Sequence, residues 1–268
     1  MAETLKSVRQ LHDEHGPTDA SATFNRLWEI MGECKAKVDA RFSTEVDPST
    51  EPFWTYGGPD GPRGELRAYV GDEVDWMVHS WLGDPETGFT NMHLTVWMGP
   101  QVKVPHLGMA WGTLPNLWCY IDYQARSDLM IDLDHLDRYF APFNDQFLEQ
   151  RENEALSPFV SRALYVRQSV SNVANCFLAD TTDDNIGFIG ELAHRQVDDW
   201  LTHLEDPELV PEDEQAALAE RDLAVRRNVA ELDPANEMAV RYFGQEQTEA
   251  LVRTLWGGDR QIPRPVVG

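Results

Sequence analysis

His93 and His106 are the side chains whose type and spacing most readily suggest chemistry. Imidazole titrates closer to neutrality than any other side chain, so two rings facing one cavity can pass protons near pH 7. Residues 90–98 alternate as a strand does. Asn91, His93, Thr95 and Trp97 fall on one face, and Met92, Leu94, Val96 and Met98 on the other. In residues 104–111, His106, Gly108 and Ala110 share a face opposed to Leu107, Met109 and Trp111. Small residues beside a histidine leave room above a sheet. The pattern therefore predicts a ligand pocket lined by His93, His106, Thr95 and Trp97. Asn91 and Thr95 would hold a substrate oxygen and Trp97 would be an aromatic wall, joined by Trp111 only if its strand twists. Tyr120, Asp122 and Arg167 add polar groups for which cross-strand or surface pairing is the simpler role. The alternative is that both imidazoles are satisfied in the core and helices fill the space.

Other patterns carry less. His12 and His15 stand at i and i+3 of a short charged run near the terminus, where a solvated stretch is the simpler reading than a metal site. Gly57-Gly58 and Gly257-Gly258 match no nucleotide-binding fingerprint, and no GxSxG is present. Cys34, Cys119 and Cys176 are far apart and odd in number, which argues against a disulfide framework and fits a reducing cytoplasm. The formal charge of −24, from 46 acidic and 22 basic residues, would repel phosphate backbones, so nucleic acid is not an expected partner. Neither a membrane-length apolar run nor a secretion-type leader is visible.

These residues need a sheet and helices to hold them. Apolar residues are 42% of the 268, enough for a sizeable core in a single domain, 1–268. Helix is predicted at 19–42, where Phe24, Leu27, Trp28, Met31 and Val38 recur near the 3.6 period. Strands are predicted at 65–70, 74–82, 90–98, 104–111, 117–123 and 162–170, with a helical stretch at 133–152 before the last of them. Ile189, Leu192, Val197 and Trp200 mark an amphipathic helix, followed by helices at 216–231 and 246–256. Residues 205–214 read as a solvated loop and 258–268 as a loose tail. Broadly, helices lie within 1–45, the sheet within 64–170 and further helices within 187–257. Helices, then strands, then helices indicate an α+β fold.

Several stretches resemble red chlorophyll catabolite reductase, a member of the ferredoxin-dependent bilin reductase superfamily. They are RSDLMIDLDHLDRYF at 126–140, SRALYVRQSV at 161–170, RDLAVRRNVAE at 221–231, and RYFG at 241–244 with the closing helix to Trp256-Gly257. The resemblance runs from about Gly83 to Gly257. It implies a three-layer α–β–α sandwich with a central antiparallel sheet and the substrate on one face. It also implies a carboxylate at the position of Ala110, a second acid near Asp233 to Asn236, and a stereochemistry-linked position at Val170. Only Asp233 keeps an acid; Ala110, Arg167, Val170 and Asn236 are carried as substrate-binding positions. The family's reductases use no bound flavin or metal, so no cofactor is expected.

The missing acid and the charge shape the functional expectation. Ferredoxins are acidic, and a chain at −24 repels one at long range, although Arg151, Arg162 and Arg167 could form a local basic patch effective within a Debye length of about 8–10 Å. The first expectation is therefore a cofactor-independent lyase or isomerase acting on an extended aromatic molecule, for example by retro-aldol cleavage. His93, His106 and Asp233 would carry the protons. Two alternatives stand beside it: a ferredoxin-dependent reductase of a linear tetrapyrrole, and a non-enzymatic carrier of a planar ligand. Helix faces rich in Leu and Trp could serve a homodimer as well as a core.

Overall fold

The computed structural model describes residues 13, 16–59, 61–114 and 116–264. The His12/His15 pair and the last residues of the tail lie outside them. A fully antiparallel sheet forms the middle of the molecule. Its strands are β1 (Glu45–Val46), β2 (Tyr56–Gly57), β3 (Arg63–Val70), β4 (Val74–Asp84), β5 (Phe89–Met98), β6 (His106–Thr113), β7 (Leu117–Gln124), β8 (Leu156–Pro158) and β9 (Asn175–Ala179). They run in the order β1-β3-β4-β5-β6-β7-β9-β8, with β2 on β3. The central five are a meander, each strand hydrogen-bonded to its sequence neighbour. That is the cheapest route to a sheet, because each loop closes over a few residues.

One face is dry. Met92, Leu94, Val96 and Met98 of β5 and Leu107, Met109 and Trp111 of β6 pack against α1 (Ser21–Arg41) and α5 (Asp183–Thr202). Phe24, Leu27, Met31, Cys34 and Val38 of α1 meet Ile189, Leu192, Ala193, Val197 and Trp200 of α5 in this core. Three further helices, α6 (Glu212–Glu231), α7 (Asn236–Phe243) and α8 (Gln245–Leu255), serve the opposite face. There Ala239, Phe243 and Leu251 join Leu66, Ala68, Val70, Trp76, Val78 and Trp97 in a second, smaller cluster. The result is an α+β fold of three layers, helices on both sides of an antiparallel sheet. Among the described residues no helix is long and apolar enough to cross a membrane.

Three sequence expectations fail. Residues 162–170 are not a strand: Leu164–Ser169 is a short helix, α4, and the strand that pairs with β7 is β9. Tyr165 and Val166 favour strand, but local polar groups decide otherwise. The Ser161 hydroxyl accepts the Ala163 N–H at 3.2 Å, and Arg167 donates to the Ser161 and Arg162 carbonyls at 2.8 and 2.9 Å, holding the first turn. The predicted helix 133–152 is two, α2 (Leu133–Tyr139) and α3 (Asn144–Glu152). Pro142 sits in the 3₁₀ turn Ala141–Phe143 between them, where it lacks the N–H an unbroken helix needs. The acidic loop is also shorter than expected, since α6 begins at Glu212 with three acids in its first turn.

Burial of neutral histidines makes the fold acid-sensitive. Burial pushes His79 down to about 3 and His93 and His135 down to about 4, and His79 is also stacked on Trp28 at 4.3 Å. A ring depressed in the folded state stays neutral there, while the unfolded chain takes up a proton below the ordinary value near 6.5. Stability is therefore complete above that pH and lost as pH falls toward 4. Asp122, raised to about 6 by burial, opposes this in part. Each such histidine changes stability by about 1.4 kcal/mol per pH unit inside the window. The urea midpoint is expected to fall steeply between pH 6.5 and 4.5; a flat midpoint would contradict burial of these rings as neutral groups.

Candidate active site

Strand register builds the floor of the site. His93 lies opposite Ser80 on β4 and Ala110 on β6; Ala110 lies opposite Tyr120 on β7, and Tyr120 opposite Cys176 on β9. The next row is Val78, Thr95, Gly108 and Asp122. Paired residues share a face, so both rows point away from the α1/α5 core. His93, Thr95, Gly108 and Tyr120 are half-buried, and neither they nor Ala110 belong to an apolar cluster. Polar and small groups in the middle of a large sheet, partly exposed and outside every apolar cluster, read as the floor of a cleft.

Chain segments overlook this floor from two sides. The α6 helix covers one end through Asp222 and Arg226. The α7 helix covers the other, where Met238 packs with Phe89 and Leu114. Their connection carries Asp233. Asp233 accepts the Ala235 N–H at 2.8 Å, and Asn236 donates to the Ala230 carbonyl at 2.9 Å, which fixes the turn. On the β7 side, α4 is pinned by Gln124 donating to the Ser169 carbonyl at 3.0 Å and by the Ser171 N–H donating to Asp122 at 2.8 Å. Tyr165 of α4 reaches close enough to Asp233 for the carboxylate to raise its phenol, after burial as the larger cause. The Tyr165 hydroxyl and the Asn91 Oδ1 are buried with no protein partner.

Electrostatics follow from burial. The Asp233 carboxyl is pushed up by burial, against the Ala235 N–H that favours its anion. His93, at about 4, is a neutral imidazole at physiological pH, able to donate with one nitrogen and accept with the other. Burial thus shifts Asp233 toward its neutral acid and keeps His93 a neutral base. Among the described residues no three of His, Cys, Asp and Glu converge as a metal site would need.

The expected pairing of His93 with His106 does not occur. Both rings share a face, but four strand residues, roughly 13 Å, separate the row of His93 from His106. His106 is buried beneath α6. Its Nδ1 accepts the Met98 N–H at 2.9 Å, its Nε2 lies 3.3 Å from Asp222 Oδ2, and its ring lies against Trp97 at 4.6 Å. Burial keeps it neutral. Trp97 faces the same side but is buried beside His106 and Arg226 rather than lining an open wall. Trp111 points to the other face, where its Nε1 donates to the Leu27 carbonyl at 3.2 Å. Arg167 is exposed and caps its own segment. Val170 ends α4 one residue before Ser171, at the edge of the cleft. Sequence reasoning missed Tyr165, hidden in the misread strand, and Asp222, which meets Arg126 from 96 residues away.

Comparison with known proteins places this architecture. The sequence profile of a family described as red chlorophyll catabolite reductase (RCC reductase) matches residues 27–256. The match begins well before Gly83 and takes in most of the first helix. No curated protein matches the sequence closely enough to stand as a relative. Among solved structures, the fold is similar to phytochromobilin synthase from tomato, crystallised in complex with biliverdin. The TM-score is 0.74 at 11% identity, covering 86% of this chain and 82% of that one. The family match overturns the expectation of a cofactor-independent lyase or isomerase, because it joins this chain to reductases although no acid stands at Ala110.

Proposed function

Because the chain belongs to the red chlorophyll catabolite reductase family, we propose that it reduces a linear tetrapyrrole with electrons delivered by a ferredoxin. The observation that supports this most directly is the polar sheet floor of half-buried His93, Thr95, Gly108 and Tyr120 with buried Ala110, together with the Asp233 carboxyl that burial raises. A flat, extended molecule laid on a sheet contacts many strands at once, and Gly108 and Ala110 let it approach the backbone. The similar fold of a protein crystallised with biliverdin supports the same substrate class.

The residues divide the work. Reducing one double bond takes two electrons and two protons. An iron–sulfur protein supplies electrons singly, so the chain must supply the protons. Asp233, held toward its neutral form by burial, is the proposed acid for one of them. His93 hydrogen-bonds the substrate as a neutral ring, and Asn91 and Thr95 position it. Water is kept away by Tyr165 and the connection bearing Asp233, with Leu164 and Leu232 exposed at the rim.

Docking of an acidic ferredoxin needs a local positive face on a molecule of charge −24. Arg151, Arg162 and Arg167 occupy the α3–α4 side, next to the cleft. Replacing Arg151 and Arg162 together by Glu is expected to raise the KM for ferredoxin several-fold at low ionic strength while leaving kcat at saturation. An unchanged KM would move the docking face elsewhere.

The test of the reading is anaerobic incubation with biliverdin and reduced ferredoxin. Conversion that requires the ferredoxin supports it. A tight complex that stays unchanged for hours would instead describe a pigment carrier, and conversion without any reductant would contradict reduction outright.

A further inference from the structure

The floor of the cleft holds a second pair of proton-handling groups in addition to Asp233. Tyr120 and Asp122 are two apart on β7, so both point to the cleft side, and the Tyr120 hydroxyl donates to Asp122 Oδ2 at 3.3 Å. Tyr120 stands opposite Ala110, and Asp122 opposite Gly108. A Cβ at position 108 would sit 3.4 Å from Tyr120 Cε1 and 3.6 Å from its hydroxyl, so any longer side chain there would cover the phenol. Glycine leaves it reachable from the cleft. Asp122 itself is only 2% exposed and reaches the cleft through Tyr120 alone.

We propose that Tyr120 and Asp122 form a proton relay, in which the Tyr120 hydroxyl delivers a proton to the substrate and takes one from Asp122. The proposal rests on the reductase reading above and adds a second proton source to it. The step balances when Asp122 starts protonated and its hydrogen bond with Tyr120 is reversed, so that the carboxyl donates. An electron from the ferredoxin reduces the bound tetrapyrrole, the Tyr120 O–H bond breaks as the substrate gains the proton, and the Asp122 O–H bond breaks as the phenol oxygen regains one. The product side holds a reduced, protonated substrate and an Asp122 carboxylate.

That carboxylate has waiting partners. Oδ2 accepts the Ser171 N–H at 2.8 Å, Oδ1 accepts the Tyr123 N–H at 2.9 Å, and the Ser171 hydroxyl donates to Oδ1. Burial nevertheless prevails over these donors and lifts the carboxyl to about 6, so it is part protonated near neutrality. The titratable groups around it are Tyr120 and Tyr123 on β7 and Cys176 on β9. All three are pushed up by burial and are therefore uncharged, with Arg151 acting on Cys176 from α3. None of these three changes charge in the window where Asp122 does. Tyr120 alone is a poor acid, since burial drives its phenol well above 10. Coupling it to Asp122 makes the carboxyl the net donor.

The test uses the full chain as wild type, Asp122→Asn and Tyr120→Phe, each close in shape to the native residue. Two readings are taken from pH 5 to 8. One is the pH dependence of bound biliverdin absorbance without ferredoxin; the other is single-turnover reduction with it. Wild type is expected to show a spectral titration near pH 6 and a rate that falls above it. Both variants should lose the titration and that limb, with the rate down about 10- to 100-fold, while a merely structural change would lower the rate and leave the limb. Retention of the limb in both variants overturns the relay. A wild type that binds biliverdin and titrates but never turns over contradicts the reductase reading, while loss of that titration in both variants would still support the coupling of Tyr120 to Asp122. A bound spectrum with no titration in this range overturns the relay whether or not turnover occurs, and failure to bind biliverdin overturns both.

Discussion

Asp233→Asn is expected to lower reductive turnover by at least about 100-fold while biliverdin still binds with near-native affinity. General acid assistance is worth about 10²–10⁴ in rate, and Asn supplies none of it. The substitution spares the scaffold, because the side-chain oxygen that accepts the Ala235 N–H at 2.8 Å is kept and the turn leading into α7 stays closed. Burial that raises the carboxyl has no counterpart in a neutral amide, so the variant should be no less stable than the native chain. Rates measured at saturating ferredoxin, set beside a dissociation constant from absorbance titration, separate loss of proton transfer from loss of binding. A rate within about threefold of wild type would remove Asp233 from the mechanism.

The second large effect concerns stability and decides the role of His106. Asp222→Ala is expected to cost about 3–5 kcal/mol, as breaking a buried ion pair on one side does. On a chain of this size that lowers Tm by on the order of 10 °C. Asp222 Oδ2 accepts from Arg126 Nε at 3.0 Å and Nη2 at 2.6 Å, and Oδ1 accepts from Arg221 at 2.9 Å. Burial acts to raise its carboxyl, but His106 and Arg126 outweigh burial and hold it below the ordinary carboxylate range. Without it the Arg126 guanidinium, 4% exposed, keeps only the Gly99 and Val102 carbonyls. This cluster clamps α6 onto the ends of β6 and β7, a structural task that His106 shares. His106→Gln should therefore lower Tm while kcat stays within about threefold. A large fall in kcat with unchanged Tm would return His106 to catalysis, and thermal unfolding beside steady-state rates reads both.

Alternation along the strands is a short-range property, which is why the sequence shows so much of the sheet. The apolar run of Met92, Leu94, Val96 and Met98 could only face a helix layer, and it does. That fixes His93, Thr95 and Asn91 on the other side, with Gly108 and Ala110 beside them through the register of β5 and β6. What alternation does not reveal is distance along the strand. Sharing a face let His93 and His106 look like partners, whereas pairing puts Ala110, not His106, opposite His93. The same limit hid the role of Tyr120 and Asp122, whose cross-strand neighbours are both small. The segment at 161–170 misled for a different reason. Its strand-like composition competes with the Ser161 and Arg167 hydrogen bonds, and the helix they hold brings Tyr165 over the cleft. Asp222 was out of reach of any local pattern, since its meaning comes from Arg126 across the fold. Net charge and one missing carboxylate argued for a lyase; the family match over residues 27–256 outweighs both.

The structure of the complex with biliverdin tests the central claim most directly. The pigment is expected on the floor formed by His93, Thr95, Gly108, Ala110 and Tyr120, with Asp233 and Tyr165 within hydrogen-bond distance of its polar atoms. A pigment bound elsewhere, for instance in the surface cleft lined by Leu129, Leu136, Phe140 and Val173 on the far side of the sheet, would contradict it.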